Sequence, residues 1–194
     1  MERLPGLIFH VHGGGFVAQS SFSHEIYLRH WAKQNPEAVF LCVDYTLAGA
    51  NAECKYPMAL DECIEVYKWA LENAHRIGWR GERLAMVGDS AGGNLVTALT
   101  ARLIMEALRV PDGLVLCYPV LSLTVAPSPS RLFTLWDPML PRELLGLCAG
   151  AYLPDDVDPL SDPYLSPVVC PAETLARSLL PPISESSAII PTLM

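Results

Sequence analysis

The chain has 194 residues, of which 51% are apolar and 18% charged, which is typical of one globular domain rather than of a disordered segment. We therefore treat residues 1–194 as a single domain. Its 13 basic and 21 acidic residues give a net charge of −8, which argues against nucleic-acid partners and anionic membranes, because either would need a clustered basic surface.

The sequence shows no pattern typical of targeting segments or metal sites. The sequence contains no run of about 18 uncharged apolar residues, which an integral membrane segment would need. The first residues also lack the layout of a signal peptide, so we expect a cytoplasmic protein. The 6 cysteines are scattered without a CxxC pair. This spacing predicts neither a zinc site nor a disulfide framework, and we expect no metal.

Four short apolar runs, each bounded by glycine, proline or aspartate, predict β-strands. In chain order they are Leu7–Val11, Ala38–Val43, Leu84–Val87 and Leu114–Tyr118. The segments between them carry apolar residues at steps of three and four, which predicts helices. These helices are expected over 23–34, with Ser23 as the N-cap, over 58–77, and over 92–108.

The alternation of strands and helices determines the expected architecture. Parallel strands need crossover connections, so this order predicts an α/β fold with a mainly parallel sheet and helices on both faces. Two further helices are expected near 141–152 and 172–180.

The sequence Gly88-Asp89-Ser90-Ala91-Gly92 fits the pattern G-x-S-x-G and lies between a predicted strand and a predicted helix. In that context the glycines allow a sharp turn that exposes the Ser90 hydroxyl as a nucleophile. By itself the pattern is weak, because it also arises by chance.

A second glycine-rich segment strengthens this interpretation. His12-Gly13-Gly14-Gly15 follows the first predicted strand, where an oxyanion-hole loop belongs. The alternatives are a flexible turn and a phosphate-binding loop. The latter requires lysine and serine or threonine after the glycines, and Phe16-Val17-Ala18 supplies neither. We therefore expect the amides of Gly13, Gly14 and Ala91 to stabilise an oxyanion.

Together, the segments His10–Ala18 and Gly88–Leu95 resemble the hormone-sensitive lipase family of α/β-hydrolases. The segments Val43–Ala48, Ser128–Leu132 and Asp137–Pro141 extend the resemblance, which covers about residues 6–183. It implies an α/β-hydrolase core with the strands in the spatial order second, first, third, fourth. It also implies hydrolysis of carboxylic esters, with acylglycerols or related small acyl esters as substrates and no cofactor.

The resemblance also implies parts that these residues do not contain. Such enzymes use a serine, then an acid, then a histidine in chain order, yet no histidine follows Ser90, and residues 184–194 diverge from the family. We expect an incomplete core, truncated at both ends, whose 194-residue form is inactive or impaired. The alternative is a non-catalytic binding protein, because plant gibberellin receptors resemble this family and have lost the histidine.

The predicted strand order leaves two strands at the edges of the sheet. Ala38–Val43 and Leu114–Tyr118 would be central strands in the complete family fold, and both are strongly apolar. Exposed edges with unpaired backbone groups promote pairing between chains. We therefore expect self-association through these edges.

Overall fold

The computed structural model describes residues 3–51, 53–124, 126 and 137–171. Four parallel strands form one sheet in the order β2-β1-β3-β4, which confirms the predicted topology. Their bounds are Leu4–Val11 for β1, Ala38–Val43 for β2, Trp79–Asp89 for β3 and Gly113–Cys117 for β4. In the register of the sheet, Val11 pairs with both Val43 and Gly88. The carboxyl ends of the strands therefore meet at one edge of the sheet, where an α/β fold places its ligand site.

Five α-helices connect and cover these strands within the described residues. They are α1 (Glu25–Gln34), α2 (Met58–Glu72), α3 (Ala74–Ile77), α4 (Ala91–Met105) and α5 (Arg142–Tyr152), and short 3₁₀ turns lie at Ser21–His24 and Pro167–Val169. The helix expected near 141–152 is confirmed as α5. The helix expected near 172–180 lies outside the described residues.

Helices cover both faces of the sheet, as predicted. Successive residues of a strand point to opposite faces. Phe9 therefore packs edge-on against Tyr67 of α2 at 5.7 Å between ring centroids, while its neighbour His10 faces Tyr27 of α1 at 5.9 Å. The face toward α2 and α4 carries the apolar core, and the face toward α1 carries histidines.

Two helices differ from the prediction: the first begins later than expected, and the second is divided near its carboxyl end. Ser23 is not an N-cap, because Ser21–His24 forms a 3₁₀ turn and α1 begins only at Glu25. The helix predicted over 58–77 is divided at Asn73, whose side-chain amide donates a hydrogen bond to the Trp69 carbonyl oxygen at 2.9 Å. Such a local bond competes with the helical ladder and favours a break.

The predicted helix over 92–108 ends early, at Met105. Ala107 adopts a left-handed conformation with φ of 53°, and the Leu108 and Ala107 amides donate to the carbonyl oxygens of Leu103 and Ile104. This is a Schellman motif, which closes a helix C-terminus and is usually built on glycine. An alanine in that position does not indicate a helix end, so the helix was predicted to extend too far, to residue 108.

Candidate active site

Ser90 occupies a sharp turn between β3 and α4. Its backbone has φ of 52° and ψ of −118°, a conformation that costs a non-glycine residue about 1–3 kcal/mol. The Ser90 amide donates to the Cys117 carbonyl oxygen at 2.9 Å, and the Ser90 carbonyl oxygen accepts from Val120 and from Asn94. The turn is therefore fastened to the end of β4, and the Ser90 hydroxyl has no hydrogen-bond partner among the described residues.

Glycines around this turn allow a close approach between backbones. A Cβ atom added at Gly92 would lie 2.1 Å from the Val11 carbonyl oxygen, and one at Gly88 would lie 2.3 Å from the Gly92 carbonyl oxygen. Since β1 ends at Val11, the glycines bring the start of α4 against the start of the His12–Gly15 loop. The two motifs that the sequence predicted to cooperate are adjacent in the structure.

The triple-glycine loop forms a compact turn. Gly14 has φ of 118° and Gly15 has φ of 64°, and the Gly14 carbonyl oxygen accepts hydrogen bonds from Val17 and Ala18. A Cβ atom at Gly14 would lie 2.1 Å from the Ala18 carbonyl oxygen. Within the described residues the Gly14 and Gly15 amides have no acceptor, and Ala91 is the first residue of α4, where an amide has no partner inside its own helix.

The amide of Gly13 is engaged elsewhere. It donates a hydrogen bond to Asp89 Oδ1 at 3.1 Å, and a Cβ atom at Gly13 would lie 2.3 Å from Asp89 Oδ2. The donor expected at Gly13 is therefore not available in this arrangement. Gly13 instead links the loop to the residue that precedes Ser90.

A cluster of aromatic and histidine side chains surrounds the Asp89 carboxylate. Tyr27 donates to Asp89 Oδ1 at 3.3 Å, His24 Nε2 lies 3.2 Å from Asp89 Oδ2, and His10 Nε2 lies 3.9 Å from Asp89 Oδ1. His10 Nε2 also contacts the Tyr27 hydroxyl at 3.0 Å. Burial lowers the pKa of His10 to about 4 although Asp89 raises it, and burial beside Asp89 raises the pKa of Tyr27. His10 is therefore uncharged at neutral pH, and Tyr27 keeps its proton.

His12 braces the triple-glycine loop. Its Nδ1 lies 2.6 Å from the Gly13 carbonyl oxygen, so this nitrogen is the donor, and its ring stacks on Tyr45 with centroids 4.3 Å apart. Burial lowers the pKa of His12.

Helix α5 packs against the outer side of the loop. A Cβ atom at Gly15 would lie 2.7 Å from Cys148 Sγ, and Phe16 stacks on Tyr152 with centroids 3.8 Å apart. The same helix borders an apolar cavity of about 360 Å³, whose other wall is the segment that follows β4. Its apolar lining includes Val120, Leu121, Leu123, Leu140, Leu145 and Ala149. The cavity adjoins the turn, because the amide of its lining residue Val120 donates a hydrogen bond to the Ser90 carbonyl oxygen.

Several features of this site were not apparent from the sequence. Sequence reasoning identified neither Asp89 as the anchor of the glycine loop nor His24 as its partner. Tyr27 and Cys148 gave no signal, because each lies far along the chain from the residue that it contacts.

Comparison with known proteins decides the family. A model described as alpha/beta hydrolase fold matches residues 8–184. The chain belongs to the α/β-hydrolase family. It is 46% identical to mouse hormone-sensitive lipase over 150 residues, and 34% identical to an esterase of Acinetobacter venetianus over 174 residues. The expected resemblance to the hormone-sensitive lipase family is confirmed.

Solved structures agree with this assignment. Carboxyl esterase 2 of Tuber melanosporum superposes with a TM-score of 0.80 at 27% identity. The match covers 90% of this chain and 56% of the esterase. An esterase of Pyrobaculum calidifontis superposes with a TM-score of 0.78 at 31% identity. The match covers 88% of this chain and 54% of that esterase.

The α/β-hydrolase chain matches only part of its relatives. The matched region is 77% of this chain but 19% of the mouse lipase, and 90% of this chain but 54% of the Acinetobacter esterase. Among the residues that the structure describes, no helix is long and apolar enough to cross a bilayer, and no group of three or more candidate side chains could hold a metal ion. All 6 cysteines, which lie in the described part, are free thiols.

Proposed function

We propose that this chain is the nucleophile-bearing core of a carboxylic-ester hydrolase, with Ser90 as the nucleophile. The observation that supports this most strongly is the strained backbone of Ser90 beside a glycine loop whose free amides adjoin the turn. Attack by Ser90 on an ester carbonyl would place negative charge on the carbonyl oxygen, and the amides of Gly14, Gly15 and Ala91 are the donors available to it. Gly15 here replaces the expected donor Gly13, whose amide is bound to Asp89.

The apolar cavity supports an acyl ester as the substrate class. Its volume of about 360 Å³ lies at the lower end of the range for small-molecule sites, and its lining is dominated by aliphatic side chains. An acyl chain would be desolvated there, while the ester group would remain beside Ser90. Acylglycerols and smaller acyl esters both fit this description, and no cofactor is required.

The 194 residues contain no histidine after Ser90 to act as the general base. General-base assistance contributes about 10²–10⁴-fold to such reactions, so we expect hydrolysis by this form to be impaired. The rate that remains depends on the oxyanion donors and on substrate binding.

Chemical rescue tests the role of Ser90. Added imidazole should accelerate hydrolysis of p-nitrophenyl butyrate by the chain beyond its effect on the ester in buffer, because it supplies a base to the Ser90 hydroxyl. The matched control is Ser90→Ala, in which the extra acceleration should vanish. Equal acceleration of both proteins would show that Ser90 is not the nucleophile.

A second candidate function is binding without turnover, because the cavity is formed although the histidine is absent from these residues. Calorimetry with a non-hydrolysable ether analogue of the same ester distinguishes the two. Tight binding together with an imidazole effect that is identical in Ser90→Ala would favour the binding protein.

A further inference from the structure

The segment from His12 to Ser20, which begins with the oxyanion loop, is held near both of its ends by one pair of side chains, Asp89 and His24. At the start of the loop, the Gly13 amide donates to Asp89 Oδ1 at 3.1 Å. At the other end of this segment, the Ser20 carbonyl oxygen lies 3.0 Å from His24 Nδ1. The two side chains meet between these points, where His24 Nε2 lies 3.2 Å from Asp89 Oδ2.

The partners of His24 define its hydrogen-bonding state. A backbone carbonyl oxygen can only accept a hydrogen bond, and so can an ionised carboxylate. Both ring nitrogens of His24 therefore face acceptors, and both contacts are satisfied only when each nitrogen carries a proton. The ring is buried, with 6% of its surface exposed, and the Asp89 carboxylate beside it provides the compensating negative charge that a buried cation needs.

The other titratable groups around the pair do not replace this charge. His10 of β1 and His12, which directly follows that strand, are kept neutral by burial, and Tyr27 of α1 keeps its proton. On the β4 side, burial and Asp89 raise the pKa values of Cys117 and Tyr118, so both stay neutral. Asp44, the remaining acid near the cluster, is exposed and accepts a hydrogen bond from the Ser21 hydroxyl.

We propose that His24, as an imidazolium paired with Asp89, is the positioning residue that sets the oxyanion loop relative to the nucleophile. Asp89 precedes Ser90 directly, so a loop fastened to Asp89 takes its position from the turn that carries the hydroxyl. His24 orients the Asp89 carboxylate toward Gly13 and holds the segment that follows the loop at Ser20. Neither side chain need touch the substrate. The inference rests on the proposed function for its catalytic consequence, but not for its geometry.

The geometry is tested in the unsubstituted chain, where no variant can fail to fold. With ¹⁵N-labelled histidine at neutral pH, the His24 ring should show two protonated nitrogens, assigned by their loss in His24→Gln. A ring with only one protonated nitrogen would overturn the proposal.

The link to the loop is tested by amide hydrogen exchange at Gly13. Exchange should become at least about 10-fold faster in His24→Gln and in Asp89→Asn. His30→Gln, which changes an exposed histidine of α1, is the matched control and should exchange as the unsubstituted chain does. Unchanged Gly13 exchange in folded His24→Gln would contradict the proposal.

The catalytic consequence is tested on the imidazole-rescued hydrolysis, which depends on Ser90, expressed per folded molecule. Misplacing catalytic groups by about 1 Å costs about 10²-fold, so His24→Gln should lower kcat by about 10–100-fold with KM within about twofold. An unchanged kcat would refute the positioning role. If even the unsubstituted chain fails to exceed the buffer rate, the proposed function fails, whereas the ring protonation and Gly13 exchange still decide this inference.

Discussion

The backbone of a single residue, Ser90, is strained. Its φ of 52° lies in a region that residues other than glycine rarely adopt, and backbone hydrogen bonds to Cys117 and Val120 hold it there. Such strain persists where the surrounding structure over-determines it, and it is characteristic of functional turns.

Ser90→Gly should therefore stabilise the fold. Relief of about 1–3 kcal/mol of strain outweighs the greater flexibility of glycine in the unfolded chain, which costs about 0.5–1 kcal/mol. We expect the free energy of unfolding in urea to rise by about 1 kcal/mol. Ser90→Ala is the control, since it retains the Cβ atom and should gain nothing. A Ser90→Gly variant that is less stable than Ser90→Ala would show that the turn is unstrained.

Buried His10 gives the stability of the fold a pH dependence. Its pKa falls from 6.5 to about 4 on burial, so below pH 6.5 the unfolded chain takes up a proton that the folded chain does not. Stability should thus decline as the pH falls from 6.5 to 4, by about 3 kcal/mol from this group. His12, whose pKa burial also lowers, acts in the same direction.

The variant His10→Gln should remove this part of the pH dependence, while exposed His30→Gln should leave it intact. Chemical unfolding at several values between pH 7 and pH 4 provides the measurement. Parallel curves for His10→Gln and the unsubstituted chain would show that His10 is not the group responsible.

At the scale of elements, the sequence predicted the strands and their order well, because short apolar runs bounded by turn residues alternate with amphipathic segments. It also located Ser90 and the glycine loop, since each is a contiguous motif. It could not predict the contacts of Asp89, which lies 65 residues from His24 and 76 from Gly13. Nor could it predict that β3 begins at Trp79, because the polar residues there pair through their backbone.

The packing of α5 on the loop is a contact between elements that substitutions can measure. Gly15→Ala should destabilise the fold by at least about 1–2 kcal/mol, because Gly15 is left-handed and its new Cβ would meet Cys148 Sγ. Gly146→Ala, an exposed helical site with open space, should instead stabilise it by about 0.5–1 kcal/mol.

A double-mutant cycle isolates the contact. Gly15→Ala combined with Cys148→Ala should cost less than the sum of the two single changes, because the smaller side chain leaves room for the methyl group. Strict additivity in urea unfolding would mean that the helix does not press on the loop.

At the scale of the whole molecule, the sheet ends in two strands without a further partner in the described part of the chain. Every residue of β4 is half-buried, as are most residues of β2, whereas β1 and β3 supply fully buried core residues. Apolar edges with unpaired backbone groups favour addition of another strand, so we expect the chain to associate with a second copy.

Light scattering after size-exclusion chromatography should show a mass that rises with protein concentration. Val115→Lys, on the β4 edge, should weaken this association, while Gln34→Lys adds the same charge to an exposed position of α1 and should not. A monomer at all concentrations would show that the edges are protected.

We propose that the 194 residues of this chain carry the nucleophile turn and the oxyanion loop of an ester hydrolase but no general base. Hydrolysis of p-nitrophenyl butyrate, measured without added imidazole beside the Acinetobacter esterase, tests it most directly. We expect a rate at least about 10³-fold below that of the esterase, above the buffer rate, and little changed in Ser90→Ala. Rapid turnover that disappears in Ser90→Ala would contradict the account and require a base among His10, His12 and His24.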